Sequence, residues 1–295
     1  MIYTVPNAEN EHISAIEPDT YIMYNLNIFK KICQHREGDF MPGPEPQISE
    51  LSRIRFEAAL VAASNAETAG IGTMGEKGVH RTLKYYFEPH EDCHEIPIGG
   101  YVADASGENG IFEIQTMGFY RMKDKLRAFL NAAQVTVVYP VISSKRIIKV
   151  DKATGEVVST RKSPVKRTEW QIFWELYSIR DLLGDPDLHF CIVKLEADEY
   201  RNAAAVQRGR KRRKGGASDT ERIPTALLGE LWLRSPDDYR QFLPHGLADE
   251  FTAKEFSALA GIDTDTGRCA LNVMCSIGIC EKTGKSGNAI LFSVV

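Results

Sequence analysis

The 295-residue chain is 43% hydrophobic and 26% charged, which excludes wholesale disorder and allows one large domain or two smaller ones. Its net charge of −4 means that any surface for nucleic acid must be assembled locally. No run of about 18 apolar residues suggests a membrane span, and the opening MIYTVPNAENEHI lacks the basic and apolar regions of a secretory signal, so a cytoplasmic protein with no membrane partner is expected.

Residues 1–47 are weakly patterned and include the turn signal MPGPEP. Helical spacing of Leu51, Ile54, Ala58 and Val61 predicts a helix over 49–65, and a second is expected over 76–87, stopped by Pro89. Strands follow at 94–98, 101–105 and 110–116, with SGENG turning the last pair. A helix over 121–132 precedes QVTVVYPV, whose β-branched run reads as a buried strand. SKRIIKVDKATGEVVST predicts a hairpin turning at 153–155, WQIFWELYSIRDLL a helix, and HFCIVKLEA a further strand. Alternation of helix and strand of this kind indicates a mixed α/β domain.

Six cysteines, without a CxxC pair, read as reduced thiols. His90, Cys93 and His94 lack the distant partner pair of a structural zinc site. The tract RGRKRRKGG places Arg208, Arg210, Lys211, Arg212, Arg213 and Lys214 together with no acid among them, which suits a polyanionic backbone as well as a solvated loop. RKSPVKR at 161–167 adds a second basic patch.

Near Phe251 a small final module begins. Thr252 and Glu255 have capping-box spacing, Gly261 can end that helix, and a second helix is expected over 264–277. Two strands around Gly284–Gly287 complete the order helix, turn, helix, hairpin. This order resembles winged helix-turn-helix modules, which implies Arg268 and Asn272 facing a DNA groove and Lys282 and Lys285 on phosphate. Such modules also bind proteins.

The chemistry centres on YVADASGENGIFEIQT. A hairpin turning between Glu108 and Asn109 sets Asp104 opposite Glu113, and carboxylates about 5 Å apart repel unless protonated, separated by water or joined by a cation. Mg²⁺ or Mn²⁺, both oxygen-seeking, would allow both to stay charged, with the two acids as ligands. An exposed hairpin rim with solvated acids is the plain alternative.

The run from GEKGVHRTLKYYFEP through the hairpin, RMKDKLRAFL and VTVVYPV resembles the core of the PD-(D/E)XK nuclease superfamily over roughly residues 70–145. The resemblance implies a restriction-endonuclease-like mixed-sheet core in which Glu76 is the helix acid, Asp104 the motif aspartate and Glu113 the motif glutamate. Gln115 stands where the family has lysine, as in its Glu-x-Gln members, so the missing positive charge is sought on the next helix, at Lys125 before Lys123. Glu95 is a further candidate ligand, His94 a candidate to approach the site, and His80, one helical turn from Glu76, a candidate to orient that carboxylate.

The sequence reading is thus an α/β protein in three parts: an N-terminal extension and helical segment over 1–70, a nuclease-like domain with the basic loop over 71–245, and a winged-helix module over 246–295. The expected activity is Mg²⁺- or Mn²⁺-dependent hydrolysis of DNA, duplex DNA above all. Loss of the lysine leaves open an inactive DNA-binding or regulatory protein, and the terminal module leaves open a protein-interaction adaptor; a homodimer is also left open.

Overall fold

The computed structural model describes residues 48–68, 78–151, 154–203 and 220–295. Glu76 and the tract from Arg208 to Lys214 lie outside the described residues.

Helices α1 (Glu50–Thr68) and α2 (Gly78–Phe87) precede an antiparallel run of β1 (His94–Ile98), β2 (Tyr101–Gly107) and β3 (Gly110–Ile114). Helix α3 (Lys123–Leu130) then leads into β4 (Val135–Val150), which pairs parallel with β3 and turns through β5 (Val157–Lys162). Helix α4 (Ile172–Ser178) crosses to β6 (Leu188–Asn202), parallel to β4, and β7 (Thr220–Leu233) closes the edge antiparallel to β6. The result is a seven-stranded mixed sheet ordered β1-β2-β3-β4-β6-β7, with β5 paired to β4.

Period-two alternation divides the strand residues between two cores. Val135, Val137, Tyr139, Phe190 and Ile192 pack on one face beneath α3 and α4, with Leu126, Phe129, Phe173 and Leu176. Val138, Cys191, Val193 and Leu195 pack on the other, beneath α1 and α2, with Phe56, Leu83 and Tyr86. A sheet buried on both faces explains why β4 and β6 read as near-continuous apolar runs. The sequence reading missed β7 altogether and ended β6 at Ala197, five residues short of its end at Asn202. The helix expected over 121–132 is a 3₁₀ turn at Phe119–Met122 followed by α3.

The last part of the chain comprises β8 (Phe251–Thr252), α5 (Ala253–Ala260), α6 (Thr264–Ser276), β9 (Cys280–Ser286) and β10 (Ala289–Val294), with a three-stranded sheet ordered β8-β10-β9. The capping box forms, with Thr252 Oγ1 accepting from the Glu255 amide at 3.3 Å and Glu255 Oε2 accepting from the Thr252 amide at 2.7 Å. Gly261 ends α5 at φ +66, a left-handed conformation that glycine adopts without a Cβ clash. This part shares the larger core: Trp170 packs edge-on against Phe242 and Phe256, and the buried Cys269 thiol donates to the Phe173 carbonyl at 3.3 Å. Cys93, Cys191, Cys269, Cys275 and Cys280 are all unbridged. No helix of the described residues is long and apolar enough to cross a membrane.

Candidate active site

Two hairpins bring the acids together. Ile98 pairs with Tyr101 across Gly99 and Gly100, whose φ values of +57 and +84 fit a two-residue primed turn. Gly107 pairs with Gly110 across Glu108 and Asn109, which fixes the register that faces Asp104 towards Glu113. Gly110 sits at φ +92, and a Cβ there would come within 2.5 Å of the Gln134 carbonyl oxygen.

The β2–β3 ladder stops at Ala105↔Phe112. Beyond it the Ile114 amide donates to Asp104 Oδ2 at 2.7 Å, so a carboxylate takes the place of a backbone acceptor where the strands part. His80, on α2, lies 3.1 Å from the same oxygen. Burial pushes the Asp104 carboxyl up, but His80, the Ile114 amide and Lys125 together hold it below the usual aspartate range.

Glu113 is treated differently. It is the more buried of the two, with 8% of its side chain exposed against 15% for Asp104. Burial first, and then repulsion from Asp104, push its carboxyl up to about 7, although Lys125 Nζ is 2.5 Å from Oε1 and opposes the rise. Glu113 Oε2 is buried with no hydrogen-bond partner. Lys125 therefore brings a positive charge from α3 to the Glu113 carboxylate. An oxygen-only pair with one unpartnered, desolvated acceptor has the ligand chemistry of a hard divalent cation. Among the described residues no group of three His, Cys, Asp or Glu side chains converges as a metal-binding set.

Asp104 opens into a cleft of about 850 Å³ that also receives His80, Glu95, Gln115, Lys145 and Arg222. Gln115 follows β3, its amide joining the Val138 carbonyl at 2.9 Å and its side-chain NH₂ donating to the Met117 carbonyl at 2.7 Å. Glu95 is held 2.6 Å from Lys84 Nζ and adopts φ +53, the one positive φ among described non-glycine residues. That conformation is strained for a residue with a Cβ and turns Glu95 towards the cleft. His94 instead bonds the Glu88 carbonyl at 2.7 Å, and His90 the Glu88 carboxylate at 2.8 Å, so neither joins Cys93 in a metal cluster.

The other sequence candidates lie elsewhere. Lys123 pairs with Asp181 at 2.5 Å, away from the acids. On α6, Arg268 is exposed and bonded to Asp265 at 2.8 Å, and Asn272 donates to the Arg268 carbonyl at 2.9 Å. Lys282 and Lys285 are exposed on β9. Sequence reasoning had not singled out Lys145 or Arg222, which meet through Glu199 on β6, or the contact of His80 with Asp104. Only the basic patch at 161–167 gave a hint, since Arg167 lines the cleft.

Comparison with known proteins adds kinship. No solved structure matches the chain. A protein of Treponema pallidum (strain Nichols), described as "Uncharacterized protein", is 36% identical over 129 residues, 43% of this chain and 51% of the relative. The chain thus spans about half the length of the curated relative it matches. A family match runs from residue 77, at the start of α2, to residue 234, just past β7, and so takes in the whole mixed sheet and its cleft. It covers more than half of the sequence, and the chain therefore belongs to the family described as "Domain of unknown function (DUF8091)".

Proposed function

We propose that this protein is a metal-dependent nuclease that hydrolyses DNA phosphodiesters on a restriction-endonuclease-like core, with a winged-helix module at its C-terminal end. The observation that carries the reading is the trio Asp104, Glu113 and Lys125. Two carboxylates are set side by side where a hairpin splits, one of them with an unpartnered oxygen, and a lysine from the next helix is in contact.

Asp104 and Glu113 would hold Mg²⁺ or Mn²⁺, with Glu76, outside the described residues, as a further candidate acid; Glu95 lines the same cleft but does not converge with them. When bound, the ion supplies positive charge to the phosphodiester and makes a coordinated water more acidic. The chain's own groups do the rest. His80 and the Ile114 amide orient Asp104 and keep it ionised, so it is available as a ligand at neutral pH. Lys125 pairs with Glu113 before loading and is the cation assigned to stabilise negative charge developing on the phosphate. Gln115 donates to Met117, which leaves its carbonyl oxygen to hold a water at the cleft wall. The terminal module has the strand–helix–helix–strand–strand order found in winged helices; exposed Arg268 on its second helix suits a DNA groove, and exposed Lys282 and Lys285 suit phosphate contacts.

The test compares intact protein with Asp104→Ala and Glu113→Ala on linear, circular and single-stranded DNA and on RNA, in Mg²⁺, in Mn²⁺ and in EDTA. Cleavage of DNA by the intact protein alone, and only with metal, is expected; equal cleavage by all three proteins would remove these acids from the mechanism.

One observation favours a second reading. Glu113 is nearly closed off from solvent and engaged by Lys125, an arrangement that also suits a nuclease scaffold retained for DNA binding alone. Such a protein shifts labelled DNA in Mg²⁺ and leaves it intact.

A further inference from the structure

Glu199 is fully buried on β6, and a buried carboxylate needs at least one cation. Here it takes three. Lys145 Nζ from β4 lies 2.5 Å from Oε2, Arg222 Nε from β7 2.7 Å from the same oxygen, and the Arg201 guanidinium closes on Oε1. Burial pushes the Glu199 carboxyl up, and these hydrogen bonds more than reverse it, to about 2. The group is therefore ionised throughout the physiological range, and the cluster carries two positive charges more than it neutralises. The neighbouring Arg146 adds nothing to this excess, because its Nε and Nη2 are paired with the Asp198 carboxylate at 2.7 and 2.6 Å, one charge against one.

Lys145 and Arg222 line the cleft that Asp104 opens into, and exposed Arg167 lines it too. One cleft thus joins a carboxylate pair suited to a cation with a separate, overcompensated cationic wall. A phosphomonoester or a cyclic nucleotide offers one phosphate and has no use for the second feature. A polynucleotide offers a phosphate at every residue, so that when one lies at the acids its neighbours must be accommodated nearby.

We propose that Lys145 and Arg222, aligned by Glu199 and backed by Arg201, form with Arg167 a second phosphate subsite that binds the backbone of a polynucleotide strand beside the scissile position. The inference rests on the nuclease reading for what occupies the acids, but not for the binding itself. Glu199 is a positioning residue within it, fixing two long cationic side chains whose freedom would otherwise oppose binding.

The experiment measures affinity for a fluorescently labelled DNA oligonucleotide by anisotropy in EDTA, between about 50 and 200 mM salt, where cleavage is absent and ion release reports phosphate contacts. Arg222→Met, Lys145→Met and Arg167→Ala are each expected to weaken binding about ten-fold near ~0.1 M salt and to reduce the salt slope by about one. Arg167 is exposed, so Arg167→Ala decides the matter if either of the other variants loses its native near-ultraviolet circular dichroism. Wild-type affinity and slope in the folded variants, or no binding by the intact protein, overturns the subsite. Cleavage in Mg²⁺ separates the two ideas. Binding that responds to these residues without metal-dependent cleavage keeps the subsite and ends the hydrolytic reading; cleavage with unaffected binding does the reverse.

Discussion

Replacing Glu113 by Gln removes a negative charge that the fold confines between a buried strand and a second carboxylate. The cost of that confinement follows from the titration of the pair. Glu113 is raised from 4.5 to about 7 by burial and by Asp104, and at 1.36 kcal/mol per pH unit this amounts to about 3 kcal/mol of stability present below pH ~4.5 and lost as pH rises through about 7. Asp104 runs the opposite way: its lowered value contributes stability above about pH 4, lost on further acidification. Metal-free protein is therefore expected to be most stable at weakly acid pH and to weaken towards pH 8. Glu113→Gln forfeits the contact with Lys125, whose ammonium is partly exposed and can turn to water. The expected net result is a gain of about 1–3 kcal/mol over wild type at pH 8 in EDTA and little change at pH 5. Urea denaturation of both proteins from pH 5 to 9 measures this directly. The same titrations in Mg²⁺ or Mn²⁺ should stabilise wild type at pH 8 and leave the variant unmoved, since a ligand stabilises only the form that binds it. A wild type whose stability does not fall between pH 5 and 8 relative to the variant would refute the placing of a raised acid at Glu113.

Three further expectations bear on the same frame. Lys125→Met removes the cation that lowers Glu113, so the acid limb of the pH–rate profile should move to higher pH, and Lys125→Arg should restore it in part. Gly110→Ala puts a Cβ against a backbone carbonyl at a positive φ, and should lower stability by about 1–3 kcal/mol as read by the urea midpoint. Trp170→Ala empties the aromatic cluster shared by the sheet and the terminal module, at an expected cost of about 3–5 kcal/mol in the same assay.

The hairpin at the centre of the site was legible because its signals are local: SGENG, alternating apolar residues, and one acid in each arm. The capping box at Thr252 and Glu255 was legible for the same reason. Strand β7 was not, because Pro224 and Gly229 argue against a strand interior. Both are accommodated because β7 is an edge strand and its pairing with β6 slips at two places, between Lys194 and Leu195 and between Glu196 and Ala197. With β7 missing, the meeting of Arg222 and Lys145 on Glu199 could not be foreseen, since it joins residues from three strands. The contact of His80 with Asp104 likewise depends on how α2 lies across the sheet, and that approach is close: a Cβ at Gly78 would come within 2.8 Å of the Arg222 carbonyl oxygen.

The interlocking rings of Trp170, Phe173, Phe242 and Phe256 seat α5 directly on the body of the protein, and the Cys269–Phe173 contact does the same for α6. If the terminal module grips a duplex, every molecule presents its cleft at the same span from that grip, like two marks on a ruler. Products of a guided cut would then share a single offset from the bound position, where a swinging module would leave a ladder of lengths.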